Sequence, residues 1–206
     1  KKGLIITHKM TDEIGQKLLK GAKVLLMPDS TEFVKDQVGG LFMTDYWNYR
    51  MFKTICESNK KAVSPGTLGI LTNPEHPIFN YFPTEMHTNW QWFPIIKESH
   101  PAILDNLGKE YRPIVQVIDN IERNHKLGLI FEFQIGKGKL LICMSDLEKA
   151  TKYPEGRAFY ESVLRYMHSD KFCPNTHLST INALKTMLQQ KLENKNMGKL
   201  NNISQY

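Results

Sequence analysis

With 206 residues, 41% hydrophobic and 23% charged, the chain has the composition of one globular domain that can bury a core without disulfides or metals, and disorder is excluded away from the ends. The net charge of +6 comes mostly from the C-terminal tail, where five Lys face one Glu from residue 171 onward, so no nucleic-acid face is implied. Three cysteines, Cys56, Cys143 and Cys173, form no C-x-x-C pair, and no apolar run approaches the roughly 20 residues that span a bilayer. Free core cysteines, no cofactor and no membrane partner are the resulting expectations.

The chain opens at Lys1 in the middle of an apparent strand, Gly3-Leu4-Ile5-Ile6, as a piece of a longer polypeptide would. Thr11 is a suitable N-cap, Asp12 and Glu13 suit the positive end of a helix dipole, and Gly21 suits the C-terminal end, so a short helix is expected between them. Lys23 to Met27 is a continuous apolar run that suits a strand buried on both faces. Residues 30 to 38 can form another helix, and Leu41-Phe42-Met43-Thr44 another strand. Asp45-Tyr46-Trp47-Asn48 then reads as a strand-to-helix turn before the stripe Met51, Phe52, Ile55, Cys56. In open α/β sheets such turns line the ligand crevice.

The stretch Leu68 to Ile96 holds Phe79, Tyr81, Phe82, Trp90, Trp92 and Phe93, is interrupted by Pro74, Pro77 and Pro83, and sustains no period. It reads as a long structured loop, and such loops serve an active site, a ligand or a partner. After it, Pro113 to Ile118 is a strand candidate ending at Asp119. Leu127, Leu129, Phe131, Phe133 and Ile135 alternate toward a Gly136-Lys137-Gly138 turn and Leu140 to Met144, which predicts a β-hairpin and hence a mixed sheet. Pro154 opens a helix with Phe159, Val163, Tyr166 and Met167 on one face. The division expected is an α/β domain over 1–175 and a C-terminal helix with a frayed basic tail over 176–206.

Asp29, Asp45, Asp119 and Asp146 each follow an apolar run. Turn formation or helix capping explains them better than a shared site, and the hairpin is expected to send one of them to the far end of the sheet. His76, Glu85 and His87 are metal-ligand types but match no compact zinc spacing, so no metal is assigned. No G-x-S-x-G elbow is present, and the turn at 45–48 holds neither Cys nor Ser, so no catalytic residue is assigned. The candidates for ligand or interface contact are Trp47, His76, Phe82, Glu85, His87, Trp90 and Trp92. Aromatic rings of this kind stack on sugars, anchor interfaces or simply cover a sheet edge.

Gly69 to Pro77, Phe82-Pro83-Thr84-Glu85 with His87 to Trp92, Pro113 to Asp119 and Gly136 to Leu141 together resemble the C-terminal region of bacterial family 2 glycoside hydrolases, the β-galactosidase-like enzymes of polysaccharide degraders. The resemblance covers most of residues 20 to 175. It implies an accessory domain whose partners are the catalytic (β/α)8 barrel and other domains of a periplasmic or secreted parent, a second copy, or carbohydrate. It also implies an α/β fold of three layers, flavodoxin-like or class I glutamine amidotransferase-like, with a mixed, mainly parallel sheet and a β-hairpin. The amidotransferase cysteine has no counterpart at 45–48. Activity on β-galactosides would then belong to the parent and not to this chain.

Overall fold

The computed structural model describes residues 3–33, 49–61, 67–120 and 123–191. In chain order the elements are β1 Leu4–Thr7, α1 Asp12–Leu19, β2 Lys23–Leu26, α2 Tyr49–Ser58, β3 Thr67–Thr72, 3-10 turns at Pro77–Phe79 and Trp90–Trp92, and α3 Phe93–Lys97. There follow β4 Ala102–Ile103, β5 Val115–Asp119, β6 Lys126–Ile135, β7 Gly138–Cys143, α4 Leu147–Ala150, α5 Pro154–His168 and α6 Ile181–Leu188. The expected strand at 41–44, helix at 30–38 and turn at 45–48 lie wholly or mostly outside the described residues.

The α1 segment folds as its sequence dictates. The Ile14 N–H donates to Thr11 Oγ1 at 3.3 Å, Lys17 pairs with Glu13 one turn earlier, and Gly21 takes φ +110° just beyond the helix. Glycine adopts that backbone at little cost, so the chain can reverse directly into β2.

One mixed sheet runs in the order β1-β2-β7-β6-β5-β3, with β4 beside β6. The expectation of a mainly parallel sheet is corrected here. Among the described residues, β1–β2 and β2–β7 are parallel, whereas β3–β5, β4–β6, β5–β6 and β6–β7 are antiparallel. The reason lies in the connections. A return of a few residues, such as Gly136-Lys137, can only join antiparallel neighbours, while the longer path through α1 can carry a parallel crossover.

A second correction concerns residues 67–72, which form the edge strand β3 and not the start of a loop. Gly69, at φ +140°, sits at a shift of register against β5, and Thr88 Oγ1 accepts the Ile70 N–H at 2.8 Å. The bulge breaks the alternation that would have marked a strand. The outer edge of β3 is not bare, since the Thr72 N–H donates to Met86 O at 2.9 Å and Leu71 bridges His87. The chain thereby covers part of a sheet edge that would otherwise invite pairing.

Strands β2, β5 and β7 point the same way, because β5 and β7 both run antiparallel to β6 and β2 runs parallel to β7. Asp29, Asp119 and Asp146 therefore share one end, against the expectation that the hairpin separates them, and Asp45 lies outside the described residues. Each is used locally. Asp29 Oδ1 accepts the Thr31 N–H and hydroxyl, Asp146 caps α4 through the Lys149 N–H, and Asp119 binds Arg123 and the His125 N–H.

The core joins β2, β6 and β7 to the inner faces of α1, α5 and α6, with Leu25, Phe131, Phe133, Leu141, Phe159 and Leu184 fully buried. Helices α1 and α6 lie against each other, the Ile181 side chain being within van der Waals reach of Gly15.

Candidate functional site

Residues 76–93 do not behave as one surface. Its first half is tied to α5, because buried Ser162 donates its hydroxyl to Ile78 O at 2.5 Å and accepts the Tyr81 N–H at 3.2 Å. That anchor turns Phe79 and Phe82 inward, where they meet Trp92 and Phe159 at ring-centroid distances of 4.9 to 6.4 Å. Trp92 is 0% exposed, and its indole N–H donates to Thr84 Oγ1 at 2.8 Å. Phe82 and Trp92 are thus core residues and cannot offer a surface to a ligand. A 3-10 turn turns successive side chains by about 120°, so Trp90, two positions earlier, faces out and is 83% exposed.

Of the other candidates, Glu85 and His87 are both exposed and lie 3.7 Å apart as a surface pair. Trp47 lies outside the described residues. His76 is drawn away from them, its ring edge-on to Tyr166 at 5.3 Å between centroids. The three metal-ligand types therefore do not converge, and among the described residues no group of three or more His, Cys, Asp or Glu could hold a metal ion.

His76 instead borders a cleft of about 510 Å³ that the sequence did not announce. Strand β6 is ten residues long, but β5 pairs only with its first half, up to Ile130. Past that point β6 needs other partners for its backbone. Tyr111 donates its hydroxyl to Glu132 O at 3.3 Å, and the segment at 176–178 exchanges backbone hydrogen bonds with Gln134. The cleft opens between these two substitutes for β5. It lies at the end of the sheet opposite the carboxyl ends of β1, β2 and β7.

The floor of the cleft carries its chemistry. Tyr166 donates its hydroxyl to Glu132 Oε2 at 2.8 Å, and among the described residues Oε1 has no protein donor. Burial raises the Glu132 carboxyl above its ordinary range, and the Tyr166 hydrogen bond and Lys139 only partly offset this. Burial also raises both phenols, Tyr111 and Tyr166, and lowers the His76 imidazole, since an apolar surrounding disfavours each charged form. His76 Nδ1 accepts the Ile78 N–H at 3.2 Å. In the neutral ring Nε2 therefore carries the proton, as a donor.

Sequence reasoning found His76 but not its neighbours. Glu132 is the one acidic residue in the run Leu127 to Ile135, and a lone carboxylate between two phenylalanines was the available signal. Nothing local marked Tyr111 or Tyr166, which reach the site only through the fold.

Among the cysteines, Cys143 is fully buried and its thiol is pushed up to about 12 by desolvation, the reverse of an activated nucleophile. Cys173 lies at the rim of the cleft. No helix among the described residues is long and apolar enough to cross a membrane.

No curated protein matches the chain. One family model, described as Domain of unknown function (DUF8487), matches residues 5–189, and the chain belongs to that family.

Proposed function

We propose that this chain is a non-catalytic accessory domain of a larger bacterial glycoside hydrolase of the family 2, β-galactosidase-like type, docked against another domain or subunit through residues 76–93. The observation that carries the docking is the two-sided build of this segment. Phe79, Phe82 and Trp92 fix it to the core, while Tyr81, Met86, Trp90 and Phe93 stand exposed. Rings held on a rigid base lose little conformational entropy on association, which is why Trp and Tyr anchor interfaces. Tyr81 is further held by the Arg165 guanidinium, 4.4 Å from its ring centroid.

The parent is inferred from the ordered blocks that resemble the C-terminal region of family 2 enzymes. The three-layer, flavodoxin-like or amidotransferase-like arrangement belongs to the same reading, and the parallel β1–β2–β7 half with its α1 crossover supports it. The raised thiol of buried Cys143 supports a role without nucleophilic chemistry at that strand. A carbohydrate-binding surface is the second reading. It now rests on Trp90, which lies 6.2 Å from Phe93 between ring centroids, because Trp92 is internal.

The test is to express the intact parent polypeptide, the parent lacking this chain, and the chain alone, and to assay each on aryl β-galactosides. Hydrolysis by the parent and none by the chain is expected. Hydrolysis by the isolated chain at an enzyme-like rate, or a parent without glycosidase activity, would overturn the reading.

A further inference from the structure

The lining of the cleft bordered by His76 and Glu132 includes none of the exposed side chains Tyr81, Met86, Trp90 and Phe93, and it selects a ligand. Its exposed rim carries Glu110 against Arg112 and Lys171, so neither a strong anion nor a strong cation meets a field of one sign. Its floor presents groups that each make directional hydrogen bonds. Among the described residues Glu132 Oε1 meets no donor and His76 Nε2–H no acceptor, and Asn175 and Thr176 add an amide and a hydroxyl at the wall. The volume, about 510 Å³, falls within the roughly 300–1,000 Å³ of small-molecule sites.

We propose that this cleft binds a neutral, hydroxyl-rich small molecule, a monosaccharide or the end of an oligosaccharide. Hydroxyl groups donate and accept at once, so they satisfy the Glu132 oxygen and the His76 N–H together without bringing a charge into the cleft. A phosphate would meet Glu132 and Glu110. An ammonium group would meet Arg112 and Lys171. Burial of unpaired polar atoms is costly, so a ligand that completes these bonds gains affinity and one that lacks a hydroxyl there is rejected.

The experiment is an amide NMR titration of the whole chain with galactose, glucose and mannose, and separately with inorganic phosphate and spermidine. Saturable shifts with at least one sugar, confined to residues 73–76, 110–114, 132, 166 and 171–176, are expected. Glu132→Gln keeps a hydrogen-bonding oxygen at this position and should retain binding within about threefold, whereas Glu132→Leu should weaken it about tenfold, the size of one net hydrogen bond. Should Glu132→Leu not fold, Asn175→Trp fills the mouth from an exposed position and should abolish binding. The proposal is overturned if no sugar produces shifts, if only phosphate or spermidine does, if the shifts fall on residues 86–93, or if Asn175→Trp binds as well as the parent sequence. Sugar binding here is independent of whether the parent hydrolyses galactosides, so either reading can fail alone.

Discussion

Tyr166 on α5 donates its hydroxyl to Glu132 on β6 at 2.8 Å, across 34 residues of sequence. The bond ties a helix to the sheet beside buried Phe172, whose ring meets that of Tyr166 at 5.4 Å between centroids. Removing only the donor by Tyr166→Phe leaves a half-buried acceptor unsatisfied. The expected loss is about 1–3 kcal/mol of stability in urea unfolding at neutral pH.

The same carboxyl sets a pH dependence. Its folded value is raised above the ordinary 4.5, so the native state binds the proton more tightly than the unfolded chain does. Stability from this group is fully present below pH 4.5 and is lost as pH rises through the raised folded value. Urea midpoints measured across that window should fall with rising pH in the native sequence, and Glu132→Gln should flatten the slope. An unchanged slope in the variant would assign it to other groups.

Arg123 and Asp119 form an ion pair at 2.7 Å with side chains 6% and 1% exposed. Asp119 also accepts the Asn120 and His125 N–H groups, so the pair fixes the connection that brings β6 back beside β5. Arg123→Ala strands a buried carboxylate, and breaking such a pair from one side costs about 3–5 kcal/mol. Thermal unfolding should show this loss, and the double variant with Asp119→Ala should recover part of it.

At the β6–β7 turn, a Cβ on residue 138 would fall inside the Leu18 carbonyl group, whereas nothing lies within 4 Å of one on residue 108. Gly138→Ala must therefore push α1 off the hairpin, at a cost of about 1–3 kcal/mol or more. Gly108→Ala should stay within about 0.5 kcal/mol of the native sequence. Comparing the two by urea unfolding separates backbone contact from any general effect of losing glycine.

How much was legible beforehand follows from which residues carry local information. Thr11, Gly21, Pro154 and the Gly136-Lys137-Gly138 turn act on their immediate neighbours, and the elements they delimit stand where the sequence placed them. Strand β3 was not legible because Gly69 breaks its alternation at the bulge and the Ile70 N–H is served by Thr88, eighteen positions on. Trp90 and Trp92 look alike in sequence. Their opposite fates depend on a single 3-10 turn and on the Ser162 anchor, which is set by α5. The cleft was hidden for the same reason, since Glu132, Tyr166 and His76 meet only because β5 stops short of β6.

The division of the two tryptophans gives a stability prediction of its own. Trp92→Ala removes a fully buried ring from the cluster with Phe79, Phe82 and Phe159 and should cost about 3–5 kcal/mol. Trp90→Ala should change the unfolding free energy of the isolated chain by no more than about 0.5 kcal/mol. Urea unfolding followed by circular dichroism reads both without relying on the removed fluorophore.

Docking through residues 76–93 is tested most directly by hydroxyl-radical footprinting of the isolated chain beside the intact parent polypeptide. Trp90, Met86 and Tyr81, all exposed here, should label strongly in the isolated chain and be protected in the parent, with Trp92 unlabelled in both. Equal labelling of Trp90 and Met86 in the two samples would contradict docking through this segment.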